Sequence, residues 1–147
     1  MKKKIFISTG EVSGDLHGSL LAKELFEESS KQSIDLEIYG LGGEKMREAG
    51  VEIIKDTTPI SAIGIWEAVP LILPMMRIQK QFLNLLITES PNCLVLIDYM
   101  GPNISIGRKL KKKKINMPIY YYIAPQEWAW RVGNNSTTCL LYTSDAA

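Results

Sequence analysis

Apolar residues fall along this chain in short unbroken runs that alternate with longer, spaced patterns. Ile5-Phe6-Ile7 opens the series, and residues 5–8 read as a strand buried on both faces, because a strand with one wet face would alternate. Leu20, Leu21, Leu25 and Phe26 then recur at helical spacing over residues 19–28, and Ser29-Ser30-Lys31-Gln32-Ser33 breaks that pattern as a loop. Residues 36–39 read as a second strand running into Gly40-Leu41-Gly42-Gly43. Residues 44–49 form a short helix closed by Gly50, a residue favoured just past a helix end, and residues 51–54 a third strand. Residues 60–76 are almost wholly apolar, with Glu67 their one charge and Pro70 and Pro74 interrupting them. A helical pattern covers residues 75–87, a fourth strand residues 93–97, a helix residues 103–110 and a fifth strand residues 119–123.

Strands that alternate with helices predict an α/β fold, a Rossmann-like parallel sheet with helices on both faces. Ligands of such sheets bind outside the carboxyl ends of the strands. Residues 10–18, 40–43, 98–103 and 124–131 all fall at that edge. The chain shows no internal repeat and no low-complexity tract.

With 147 residues there is enough chain for one domain with a real core, and 46% hydrophobic and 22% charged residues are ordinary for a soluble protein. A formal net charge of +1 gives no reason to expect nucleic acid as a partner. Cys93 and Cys139 form no CxxC pair, and Cys93 lies in a strand pattern as an expected buried free thiol, which suits a reducing cytoplasm. Met1-Lys2-Lys3-Lys4 is followed by too few apolar residues for a secretory leader, which needs ~7–15, so none is expected.

The segment Gly10-Glu11-Val12-Ser13-Gly14-Asp15-Leu16-His17-Gly18 carries the most chemistry. A glycine-rich strand-to-helix turn leaves N–H groups free for an anion, and glycine lets a ligand approach the backbone. This favours a phosphorylated or sugar-bearing ligand. The competing reading is an ordinary turn in which Ser13 or Asp15 caps the helix, worth ~0.5–2 kcal/mol. GxGxxG and GxxxxGK[ST] are both absent, and the second strand ends in Tyr39-Gly40 rather than an acidic residue, which weighs against a dinucleotide site or a P-loop.

Asp98 stands just past an apolar strand, where a carboxylate can be a general base or a loop cap. His17 is as readily a surface residue as a catalytic one. Residues 60–76 are too short and broken for a membrane span of ~20 residues, and read either as core or as a surface for acyl chains or the membrane interface. Arg108-Lys109-Leu110-Lys111-Lys112-Lys113-Lys114 is either a solvated helix end or an attraction for anionic lipid. In Tyr120 to Arg131, Trp128 and Trp130 suit sugar rings or acyl chains and Arg131 suits a phosphate; the tryptophans could equally plug a domain boundary.

In order along the chain, four segments resemble the lipid-A-disaccharide synthase family, glycosyltransferases of the GT-B architecture. The pattern G-E-x-S-G-D-x-x-G is matched by Gly10, Glu11, Ser13, Gly14, Asp15 and Gly18, and G-x-G-G-x-x-M-x-x-x-G by Gly40, Gly42, Gly43, Met46 and Gly50. Ile63-Gly64-Ile65-Trp66-Glu67-Ala68-Val69 resembles M-G-x-x-E-V-L, and Y-x-x-x-P-x-x-W-A-W-R is matched by Tyr121, Pro125, Trp128, Ala129, Trp130 and Arg131.

The resemblance implies an inverting transfer of 2,3-diacylglucosamine from UDP to 2,3-diacylglucosamine 1-phosphate, giving the lipid A disaccharide and UDP. It needs no cofactor beyond the UDP-activated sugar and no metal. It places the catalytic base at Asp98, with Glu11 as the second candidate, and leaves the position of His17 free. The chain departs locally, with Asp98-Tyr99-Met100-Gly101-Pro102-Asn103 lacking the family's phenylalanine before the asparagine. Substrate-binding roles are expected for Gly10, Ser13, Gly14, Asp15, Gly18, Asn103, Gln126, Trp128 and Arg131. Acyl or membrane contact is expected for Ile65, Trp66, Leu71, Met75, Lys111, Lys112, Lys113 and Lys114.

The same resemblance implies a cytoplasmic protein peripheral to the inner membrane and admits a homodimer of the full-length enzyme. Residues 1–138 would form an incomplete acceptor-side domain. Residues 139–147 continue no family segment and read as a foreign tail, and the nucleotide-sugar domain would lie outside the 147 residues. This segment alone is expected to be inactive. Another GT-B enzyme of UDP-sugars, or a non-catalytic lipid- or nucleotide-binding module, are the alternatives.

Overall fold

The computed structural model describes residues 1–61, 70 and 72–123. Its strands are β1 (Lys2–Ser8), β2 (Asp35–Gly42), β3 (Glu52–Asp56), β4 (Cys93–Ile97) and β5 (Ile119–Ile123). Its helices are α1 (Val12–Lys31), α2 (Glu44–Glu48), α3 (Thr58–Ser61), α4 (Ile72–Glu89) and α5 (Met100–Lys112). The strands form one sheet in the order β3-β2-β1-β4-β5, every pair parallel. This is the expected α/β, Rossmann-like architecture.

The topology follows from handedness. Strands β1, β2 and β3 step one way across the sheet and β4 and β5 step the other, so right-handed crossovers lay the connecting helices on opposite faces. Two cores result. Ile7, Ala22, Ile38, Met46, Val51, Val95 and Ile97 pack on the α1–α2 side. Phe6, Phe82, Leu86, Leu94, Leu96, Ile106 and Leu110 pack on the α4–α5 side. Phe6 and Ile7 are neighbours in sequence, point to opposite cores and are both buried, which is why β1 reads as an unbroken apolar run. Phe6 stacks on Tyr39 at 5.4 Å between ring centroids and tilts against Phe82 at 5.9 Å.

Three expectations change. The first strand starts at Lys2, because Lys2 and Lys4 find Glu37 and Glu89 at 2.8 and 2.5 Å. The second runs on through Gly40 and Gly42, which are strand rather than turn. Helix α1 begins at Val12, so Gly14 and Gly18 belong to its first turns and not to a loop.

The face α1 buries is also different. Gly14, Asp15, Gly18, Ser19, Ala22 and Ser29 are buried, Leu21, Leu25 and Phe26 are partly buried, and Leu20 lies outside with Val12 and Leu16. Small side chains let this helix sit close. A Cβ on Gly14 would overlap the Thr9 hydroxyl, and one on Gly18 would come within 2.7 Å of the Met46 sulfur.

Candidate active site at the parting of β1 and β4

Strands β1 and β4 are paired through only four residues of each, from Ile5↔Cys93 to Ser8↔Leu96. Beyond that point each follows its outer neighbour. The Thr9 N–H donates to the Leu41 carbonyl of β2 at 3.1 Å, and the Asp98 N–H donates to the Ile123 carbonyl of β5 at 2.9 Å. The crevice that opens between them lies at the carboxyl edge, where the chain reverses its direction of travel across the sheet.

Asn103, on α5, closes the base of this crevice. It is 0% exposed; its side-chain oxygen accepts from the Ser8 hydroxyl at 2.7 Å. Its amide nitrogen reaches the carbonyls of Ser8, Ile97 and Asp98 at 3.1, 3.2 and 2.9 Å. The side chain thus joins two strand ends and frames the crevice.

Asp98 and Tyr99 follow in the left-handed region, at φ 46° and 52°. Each such residue costs about 1–3 kcal/mol, and for a bulky residue like tyrosine the conformation is uncommon. Strand β4 ends here for that reason. The Asp98 carbonyl accepts from the Tyr121 hydroxyl at 2.8 Å as well as from Asn103. The Tyr99 ring lies against the backbone of Gly10, where any Cβ would overlap it. Burial first, and the charge of Asp98 second, push the Glu11 carboxyl above the ordinary glutamate value. Burial and then the charge of Glu11 likewise raise the Tyr99 hydroxyl. Glu11, Asp98 and Tyr99 therefore share one electrostatic neighbourhood, and a carboxylate there can accept a proton from a ligand hydroxyl.

The remaining expected site residues divide. Ser13 and His17 are exposed on the first turns of α1. Gly10, Gly14 and Gly18 are buried against Tyr99, Thr9 and Met46, and their missing side chains let these groups pack closely. Asp15 is 4% exposed and caps a helix other than its own: its carboxylate accepts from the N–H groups of Gly43, Lys45 and Met46 at 2.7, 3.0 and 3.1 Å. The N-cap of α1 is Glu11, which makes no side-chain capping bond. Gln126, Trp128, Trp130, Arg131, Ile65, Trp66 and Leu71 lie outside the described residues.

Beside the crevice, on the α4–α5 side, Ser8, Leu41, Met75, Ile78, Tyr99 and Ile106 are among the residues lining a small, mostly apolar cleft. Ile72, Leu73 and Met76 stand exposed at the adjoining start of α4. Lys111, Lys112, Lys113 and Lys114 are exposed too, but at the far end of α5. Thirteen helical residues put them about 20 Å from the crevice. The sequence singles out neither Tyr99 nor Ser8 and marks Tyr121 only as a family match, since nothing in local pattern shows a backbone turned left-handed or a tyrosine that reaches across strands. Among the described residues no group of three His, Cys, Asp or Glu side chains could hold a metal, and no helix is long and apolar enough to cross a membrane. Cys93 is a free thiol, partly rather than fully buried, and burial raises its pKa.

Comparison with known proteins bears on the same segments. The family model described as lipid-A-disaccharide synthetase matches residues 5–141. A lipid-A-disaccharide synthase of Prochlorococcus marinus (strain MIT 9313) is 51% identical over 142 residues, covering 97% of this chain and 36% of that protein. One from Synechocystis sp. is 46% identical over 142 residues, with 97% and 36% covered, and one from Geobacter sulfurreducens 36% identical over 134, with 91% and 33% covered. The chain thus spans about a third of the length of these relatives. It belongs to the lipid-A-disaccharide synthetase family.

Proposed function

We propose that this chain is the acceptor-side part of a GT-B glycosyltransferase of lipid A biosynthesis, and that the whole protein moves 2,3-diacylglucosamine from UDP to 2,3-diacylglucosamine 1-phosphate. The observation that carries the reading is the placing of Asp98 at the crevice between β1 and β4, in a chain of this family. In the reaction the acceptor hydroxyl attacks the anomeric carbon of the donor sugar. Asp98 takes the hydroxyl proton, the new C–O bond forms, and the bond to UDP breaks with inversion. Glu11, whose carboxyl is raised above its ordinary value by burial and then by the charge of Asp98, stands in the same neighbourhood and is suited to orient a sugar hydroxyl.

The mostly apolar cleft beside Tyr99 takes part of an acyl chain, and Ile72, Leu73 and Met76 continue it toward the membrane surface. Residues 111–114 touch anionic headgroups from the other end of the same face. The protein then works at the cytoplasmic face of the inner membrane.

Thermal unfolding of the 147-residue chain with 2,3-diacylglucosamine 1-phosphate and, separately, with UDP tests the assignment. Stabilisation by the acylated sugar phosphate and none by UDP is expected; stabilisation by UDP alone would reverse the assignment of donor and acceptor sides. In a protein of the relatives' full length that carries this segment, Asp98→Asn should abolish turnover.

A further inference from the structure

We infer that Tyr121 is a positioning residue for Asp98: its hydroxyl holds the Asp98 carbonyl and so keeps the Asp98–Tyr99 backbone in the left-handed form that sets the carboxylate in the crevice. The inference rests on the reading of Asp98 as the base, and goes beyond it in saying what holds that base in place.

Two consecutive non-glycine residues at positive φ do not persist by local preference, and the surroundings must over-determine them. Three hydrogen bonds do so at Asp98. Its N–H is tied to the Ile123 carbonyl at 2.9 Å, and its own carbonyl receives Asn103 at 2.9 Å and the Tyr121 hydroxyl at 2.8 Å. Both lone pairs of that carbonyl are thereby used. Asn103 also binds Ser8 and Ile97, so it serves the whole parting of the strands. The Tyr121 hydroxyl bonds to the carbonyl of Asp98 itself.

The pairing of β4 with β5 is built to deliver that hydroxyl. Leu96 pairs with Tyr121 but Ile97 pairs with Ile123, so β5 carries one extra residue immediately before the segment that meets Asp98. Such bulges re-aim a strand, and they concentrate beside active sites. The Tyr121 ring is buried in the α4–α5 core, which fixes the direction of its oxygen.

Tyr121→Phe removes the oxygen and keeps the ring. In the 147-residue chain, the N–H to Hα coupling of Asp98 reports its φ, and the carboxyl carbon chemical shift of Asp98 at fixed pH reports its surroundings. Both should move in Tyr121→Phe and stay put in Leu110→Val, a change of the same core away from the crevice. Unchanged coupling and an unchanged carboxyl carbon shift in Tyr121→Phe would overturn the inference.

In the full-length protein, Tyr121→Phe should lower kcat by about 10²-fold with KM for the acceptor little changed, as expected of a reacting group displaced within an intact site. A buried hydroxyl that merely stabilised the fold would lower the unfolding temperature and leave kcat alone. Asp98→Asn separates the two layers of argument. Turnover that survives it removes the base itself. Turnover lost in Asp98→Asn but intact in Tyr121→Phe leaves the base standing and removes the positioning role.

Discussion

Asp15 offers the sharpest measurement, because its sequence reading and its structural role differ. The five-residue helix α2 has Gly43 at its N-cap, with no side chain to cap it. Asp15 supplies the missing acceptor from α1, through three bonds of 2.7 to 3.1 Å to Gly43, Lys45 and Met46. Asp15→Ala strands these donors. Loss of a helix cap costs about 0.5–2 kcal/mol, and a buried donor left unpaired costs about 1–3 kcal/mol. The bonds to Gly43 and Met46 are buried and that to Lys45 is not, so water repairs only the last. A total near 3 kcal/mol follows, or a fall of about 10 °C in Tm for a chain of this size. Helix α2 also carries Met46, fully buried against Gly18, Gly40 and Gly42, so its loosening unseats one of the two cores. Asp15→Asn keeps one acceptor oxygen and should lose roughly half as much. Thermal unfolding followed by circular dichroism, with hydrogen exchange at residues 43–46, reads both effects. An Asp15→Ala chain that melts within about 2 °C of wild type would refute the reasoning. So would an Asp15→Asn chain of unchanged stability that had lost its ligand.

Three further outcomes follow from the same geometry. Burial holds the Glu11 carboxyl above its ordinary value, so the folded chain binds that proton more tightly than the unfolded chain, and the associated stability is present below the ordinary pKa and lost as pH rises through the raised one. Glu11→Gln should therefore raise Tm at neutral pH and bring no gain below about pH 4; a gain that grew on acidification would show the sign to be wrong. Gly14→Ala adds about 1 kcal/mol of helix propensity yet should destabilise by about 1–3 kcal/mol net, because its Cβ meets the Thr9 hydroxyl, and urea unfolding decides the sign. Changing Lys111, Lys112, Lys113 and Lys114 to glutamine should weaken sedimentation with anionic vesicles at least tenfold at low salt, each lysine contributing about 1 kcal/mol, while neutral vesicles show no difference.

The strands were legible because burial on both faces writes itself as unbroken apolar runs, and residues 93–97 and 119–123 match β4 and β5 as observed. Helix α1 was harder to read. Its buried stripe is glycine, alanine, serine and aspartate, so hydrophobic spacing pointed to Leu20, which faces solvent. The better signal was the four-residue interval from Gly14 to Gly18, which marks one face of a closely packed helix rather than a flexible loop. The carboxylates of the candidate site were found by position at a strand end. The uses of Asp15 and Asn103 were not, since a carboxylate that caps a helix 28 residues away and an amide that ties two strands look in sequence like any polar group near a ligand edge.

The parting of β1 from β4 gives the molecule a grain, like timber that splits along one line. On one side lie β1, β2 and β3, on the other β4 and β5, and the final turns of the two halves hold to their outer neighbours instead of to each other. At the crevice the primary amide of Asn103 spans the line. Whatever wedges into the crevice loads that one side chain first. Hydrogen exchange at the amides of Thr9 and Asp98, which hold the two strand ends to their outer neighbours, is where a bound molecule should leave its mark.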